Sequence, residues 1–167
     1  MKRAWDPSSN LGGAIFFVMD MIGKSRNIAG FVVFDGERFL LLHRVMNWSG
    51  WEFPKGEIES DEASEEAIAR ELYEEAGIKK FKIITKLDEF DYYDNSRKVN
   101  SHVTNYLLHV SSNSKVTLNN KSPKSGEIEY EHDGFKWFFP KDALKTVTHK
   151  NQRESIALAI KHLGLSE

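Results

Sequence analysis

This chain of 167 residues predicts a mixed β-sheet covered by helices on its faces, an α+β arrangement within the α/β class. Three observations lead there. Short runs dense in Val, Ile, Leu and Phe recur along the chain and are separated by turn residues. One central and one terminal segment carry helical periodicity instead. The length suits one domain with a proper core.

The elements follow in order. Residues 1–13 (MKRAWDPSSNLGG) are turn-rich and peripheral, and Phe16–Ile22 reads as a first strand, so residues 1–24 form an extension to a main domain over 25–167. Ile28–Phe34 is a strand, Asp35-Gly36 a hairpin turn and Phe39–His43 the returning strand. A Trp- and Gly-rich loop, Asn47–Trp51, leads into Glu52-Phe53-Pro54-Lys55-Gly56. Ser60 or Asp61 caps the central helix, which stops at Gly77, a residue suited to a left-handed C-terminal cap. Phe81–Leu87 and Val103–Val110 are strands joined by a polar loop, Asp91–Asn100. Ser111–Gly126 is an exposed hairpin or loop, and Phe135–Phe139 is a short aromatic strand. Lys141–Leu144 and Asn151–Leu163 are helices, the second with Ile156, Ala159, Ile160 and Leu163 at helical spacing.

Composition removes several functions. There are no cysteines, which excludes disulfides, thiolate nucleophiles and Cys-based metal sites. Any metal must therefore sit on oxygen or imidazole, and 25 acidic residues point to oxygen. Net charge is −2, so nothing drives the whole chain toward nucleic acid or membrane. The apolar run Ala14–Met19 is far shorter than the ~20 residues that span a bilayer. Asp6 and Pro7 argue against a signal peptide, so an intracellular, cytoplasmic protein is expected.

The central helix carries the chemistry. With Glu71 at zero and about 100° per residue, Glu74 lies near −60° and Glu75 near +40°. Arg70 lies beside them at about −100°. Ile68, Ala69, Leu72 and Ala76 form a separate apolar stripe, into which Glu65 falls without an evident reason. Like charges so close destabilise a helix, and Arg70 can offset part of that by pairing with Glu74. Three oxygen ligands on one face suit magnesium or manganese. Spacing alone is equally compatible with a solvated acidic face.

The surrounding residues tip that balance. Gly56, five residues, Glu62, seven residues, and then Arg70-Glu71-Leu72-Tyr73-Glu74-Glu75-Ala76-Gly77-Ile78 is similar to the Nudix box at every specified position. A chance match is on the order of one in a hundred million per window. The flanking pattern extends the resemblance to roughly Ile28–Leu163. The resemblance implies a mixed sheet sandwiched between helices, with a loop–helix–loop box. It implies that Glu74 and Glu75 are primary ligands for Mg2+, with Mn2+ as a substitute. Glu71 would be a ligand or the base that activates water. Arg70 would hold the carboxylates and Glu62 would brace the loop. Gly56 would let the Lys55 carbonyl approach the metal. The implied reaction is hydrolysis of a phosphoanhydride bond in a nucleoside diphosphate-linked substrate.

Two segments narrow the substrate. Pro54-Lys55-Gly56 resembles the dinucleoside polyphosphate hydrolases, which cut diadenosine tetraphosphate to ATP and AMP. Lys55 would neutralise an extra phosphate, although an ordinary solvated loop lysine is the alternative. Glu131-His132-Asp133-Gly134-Phe135-Lys136-Trp137 resembles a late segment of those enzymes, where an acid outside the box reaches the metals or the water. Glu131 is the match, with Glu127 and Glu129 as alternatives. Tyr92, Tyr93, Phe138 and His149 are candidates for stacking on a base, and Arg44, His43, Lys98 and Lys150 for phosphate contact. The remaining histidines read as ordinary surface or core residues. The expected partner is a small nucleotide, with no membrane and no stable nucleic-acid partner. RNA 5′ ends, diphosphoinositol phosphates, nucleotide sugars and oxidised nucleotides are alternative substrates. A non-catalytic binding module is disfavoured because no box residue is replaced.

Overall fold

The computed structural model describes residues 25–95, 97–118 and 131–166. The expected strand at Phe16–Ile22, the second half of the loop at Ser111–Gly126, and Glu127 and Glu129 lie outside them. Seven strands form one sheet: β1 (Ser25–Phe34), β2 (Phe39–Arg44), β3 (Gly50–Glu52), β4 (Lys55–Ile58), β5 (Lys82–Asp94), β6 (Val99–His109) and β7 (His132–Phe138). Among the described residues three helices accompany them: α1 (Ser64–Ala76), α2 (Pro140–Thr146) and α3 (Lys150–Leu163). The strand order is β3-β2-β1-β6-β5, with β4 also paired to β1 and β7 to β2. The β1–β6 pair is parallel and the other pairs are antiparallel, which is the expected mixed sheet.

β1 reads as a continuous apolar run because both of its faces are covered. Val32 and Phe34 pack with Leu107, Ile156, Ala159 and Ile160, under α3. Ala29, Phe31 and Val33 point the other way, to Ile68, Leu72 and Ala76 of α1. Gly30 is a glycine for a different reason. A Cβ there would lie 2.1 Å from Asn105 Oδ1 on the neighbouring strand. Asn105 Nδ2 donates to Asp88 Oδ1 (2.7 Å) and Ser155 Oγ (2.9 Å), tying β5 to α3.

The hairpin at Asp35-Gly36 is as expected. Asp35 Oδ1 accepts from the Glu37 and Arg38 amides at 3.0 and 2.6 Å, and Gly36 takes a φ of 101°.

Four expectations need correction. The central helix starts at Ser64, with Ala63 at the N-cap, rather than at Ser60 or Asp61. Those two residues belong to a tight turn closed by the Glu62 amide on the Glu59 carbonyl (3.1 Å). The Glu66 carboxylate accepts from the Ala63 amide (3.0 Å) and satisfies a free donor of the first turn. In the apolar stripe, Ala67 is buried and Ala69 exposed. Glu65 is exposed in the first turn, where a negative charge suits the helix dipole. The segment Asp91–Asn100 is mostly strand, since β5 continues to Asp94 and β6 begins at Val99. Its polar residues belong to an edge strand whose backbone pairs Tyr92 with Ser101 and Asp94 with Val99. The Trp–Gly loop runs into a short strand, β3, and a second, β4, follows at Lys55–Ile58; their shortness hid both.

Candidate active site

Pairing of β4 with β1 sets Lys55 opposite Gly30 and Gly56 opposite Ala29. That register delivers Gly56 to the middle of α1. A Cβ on Gly56 would lie 1.8 Å from Glu71 Cδ, so only glycine leaves the Glu71 side chain its place. The helix stays docked despite its acid cluster. Burying Ile68 and Leu72 contributes about 1.5–3 kcal/mol each, against tenths of a kcal/mol for each repelling pair.

Arg70 organises the outer side of this cluster. Its Nε and Nη2 donate to the two Glu62 carboxylate oxygens, both at 2.8 Å, and Nη2 also donates to the Glu57 carbonyl at 2.9 Å. Nη1 donates to Glu71 Oε1 at 2.6 Å and lies 3.5 Å from Glu74 Oε2. The expected pairing to Glu74 is therefore present but looser than those to Glu62 and Glu71. The hydrogen bond to Glu62, with those to Glu71, raises the Arg70 pKa further. In return, Arg70 holds Glu62 below the usual carboxylate range.

On the inner side, the Lys55 amide donates to Glu75 Oε2 at 2.9 Å. Burial pushes the Glu75 carboxyl well above its ordinary value, with Glu52 and Glu131 adding to the rise and Lys55 opposing it. Burial also raises Glu71, against the pull of Arg70. A carboxyl whose folded pKa is raised stabilises the fold fully below its unfolded value, and that contribution is lost as pH climbs through the folded value. A divalent ion binding these carboxyls would have to displace the same protons. The rise in Tm on adding Mg2+ should therefore be smaller at about pH 6 than at about pH 8. Differential scanning fluorimetry with and without the ion checks this, and an equal rise at both would overturn it.

Glu131 faces this group from the far end of the chain. Its Oε1 accepts from Arg44 Nη1 at 2.5 Å, and its carbonyl accepts from the Val45 amide at 2.9 Å. Among the described residues, Glu52, Glu131 and His132 also bring ligand-type atoms within 4.8 Å of one another. Arg44 and Lys55 already occupy the two oxygens of Glu52, which makes this set an ion-pair network rather than a cation cage.

Glu71, Glu75, Glu131, Lys55, Arg44 and Tyr92 line one open cleft of about 580 Å³. A second pocket of about 420 Å³ adjoins it, and Ile28, Trp48, Lys55 and Tyr92 line both. That pocket is walled mainly by apolar and aromatic side chains, including Phe90, Val103 and His149, with Asn105 and Gln152 as polar groups.

The family model for the NUDIX domain matches residues 24–159, most of the chain. The chain belongs to the Nudix family. An RNA pyrophosphohydrolase of Nitratiruptor sp. is 31% identical over 88 residues, covering 48% of this chain and 57% of that protein. One from Histophilus somni is 39% identical over 61 residues, covering 36% of this chain and 31% of that protein. The chain thus spans about half of the first of these relatives and about a third of the second. Among solved structures, a C. elegans Ap4A hydrolase binary complex superposes with a TM-score of 0.67 at 24% identity. It covers 83% of this chain and 98% of that one. The E. coli ORF135 protein gives a TM-score of 0.62 at 20% identity, covering 86% and 96%. These likenesses are of fold, and they match the sheet-between-helices architecture expected of a Nudix domain.

The Nudix cleft gathers some expected substrate residues and not others. Arg44, Lys55 and Tyr92 line it, and His149 lines the adjoining pocket, edge-on to Trp48. Tyr93 alternates with Tyr92 along β5 and is exposed. Phe138 lies in the core against Trp51. His43 bonds Asp133 at 2.6 Å, Lys98 sits in the β5–β6 turn with a φ of 53°, and Lys150 lies 3.6 Å from Glu154 on α3. Sequence reasoning passed over Glu52, His132, Trp48 and Gln152. A glutamate between Trp51 and Phe53 was the available signal, because a charge within an aromatic run is buried only when paired.

Proposed function

We propose that this Nudix domain is a divalent-metal-dependent hydrolase of a phosphoanhydride bond, with a dinucleoside polyphosphate such as diadenosine tetraphosphate as substrate. The observation that carries the reaction is the convergence of Glu71, Glu75 and Glu131 on one cleft that Lys55 and Arg44 also line. This donor set is all oxygen and hard, and the carboxyls raised by burial lack a full counter-charge, which fits magnesium or manganese. Glu71, Glu74, Glu75 and Glu131 would hold the ions. When bound, they would withdraw charge from the phosphate oxygens and lower the pKa of water. Arg70 keeps Glu71 and Glu74 aimed from behind. Glu71 or Glu131 would accept the proton of the attacking water. Lys55 and Arg44 would neutralise the remaining phosphates, and the aromatic pocket beside them would hold one base.

The support for the long-chain substrate is Lys55 in the cleft, the adjoining aromatic pocket and the fold shared with an Ap4A hydrolase. A second reading, removal of pyrophosphate from RNA 5′ ends, draws on the relatives named RNA pyrophosphohydrolase. A substrate panel with product chromatography decides between them. Release of ATP and AMP from diadenosine tetraphosphate with Mg2+ is the expected result. Inertness toward it, with rapid cleavage of triphosphorylated RNA, would overturn the choice. Lys55→Ala should reduce tetraphosphate cleavage about 10-fold more than cleavage of a plain diphosphate linkage. Equal losses on the two would remove Lys55 from that role.

A further inference from the structure

We infer that Glu52 is a positioning residue, the buried anion that aims the two cleft cations, Lys55 and Arg44, at the phosphate chain. The inference rests on the phosphoanhydride reading above and deepens it. Glu52 closes β3 and is only 1% exposed. Its Oε1 accepts from Arg44 Nη1 at 2.9 Å and His132 Nε2 at 3.1 Å, and its Oε2 accepts from Lys55 Nζ. Burial alone would raise this carboxyl, but the His132 hydrogen bond and the charges of Lys55 and Arg44 outweigh it and keep it ionised.

The consequence is geometric. A lysine on its four-carbon stem is a mobile point charge. Tied to a fixed carboxylate, its ammonium is confined, and its other N–H groups remain for phosphate oxygens. Arg44 is confined in the same way. Its Nη1 bridges Glu52 and Glu131, its Nε donates to the Met46 carbonyl at 3.0 Å, and its guanidinium lies over the Trp48 ring. Both cations line the cleft, whereas Glu52 lines only the adjoining pocket. Glu52 therefore acts through them rather than on the reacting atoms. One anion fixes two cations from different strands, β2 and β4, and through Arg44 it also keeps Glu131 in register with them.

The test is Glu52→Gln, which keeps the size and removes the charge. Binding of inorganic tripolyphosphate in the presence of Mg2+, read by calorimetry, should weaken about 10-fold. KM for the tetraphosphate substrate should rise by a similar factor, with a smaller change in kcat. The loss should be non-additive with Lys55→Ala, since Lys55 has nothing to gain from Glu52 once its ammonium is gone. Unchanged tripolyphosphate binding in a folded Glu52→Gln protein, or fully multiplicative losses in the double variant, would overturn the inference. A wild type inert on the whole panel would instead refute the hydrolase reading, and the calorimetric arm would still judge Glu52. If the variant does not fold, NMR of the wild type decides. The Lys55 ammonium should show restricted motion, and mobility equal to that of the exposed Lys80 would overturn the role.

Discussion

Glu75→Gln should lower kcat by at least ~10²-fold while leaving the protein folded, and Glu74→Gln should do the same. Glu75 holds a hydrogen bond from the backbone. The Lys55 amide donates to its Oε2, and a glutamine oxygen can accept that hydrogen bond equally well. The exchange thus removes charge without removing shape. In the metal-free protein, burial already disfavours the Glu75 carboxylate, so stability should hold or rise. The rate loss corresponds to about 2.7 kcal/mol of barrier, which an exposed ion pair does not supply. For Glu74, the 3.5 Å approach to Arg70 is the contact at stake, and a long, partly exposed pair contributes little to folding. Steady-state kinetics with thermal melts on both variants measures the outcome. Near wild-type rates in both would end the metal-site assignment.

Gly56→Ala should cost about 10²-fold in activity with a Tm change of only a few degrees. Gly56 does not use a left-handed backbone conformation, so alanine is acceptable to the chain there. The added methyl group would instead sit 1.8 Å from Glu71 Cδ and 2.2 Å from its Cγ and Oε2. No real contact is that short, so Glu71 must swing away. Its departure breaks the 2.6 Å hydrogen bond from Arg70, and with it one arm of the clamp behind the box. A misplacement of about 1 Å in a catalytic group is enough for the predicted loss. Activity close to wild type would mean that the Glu71 position seen here is dispensable. A collapse in Tm would mean that Gly56 serves the fold rather than Glu71.

The separation between these two effects mirrors what was legible in the sequence. The mixed sheet, the central helix and its stop at Gly77 follow from local chemistry: apolar runs, a glycine able to take a φ of 68°, and a stripe containing Ile68, Leu72 and Ala76. The box spacing from Gly56 to Ile78 pointed to the family, because its residues lie within one loop and one helix. Arg70 and Glu62 were legible for the same reason.

The edge strand at Asp91–Asp94 was not, because its pairing with β6 overrides a polar local pattern. The burial of Ala67 rather than Ala69 also needed the sheet, since a helix face becomes inside only against a partner. Most of all, the ion-pair network around Glu52 joins β2, β3, β4 and the start of β7. Sequence by itself determined the family, the acid helix and the oxygen character of the site, all properties of adjacent residues. Only tertiary structure decided which cations face those acids and what holds them, because a buried charge takes its partners from neighbouring strands and only the sheet sets which side chains meet.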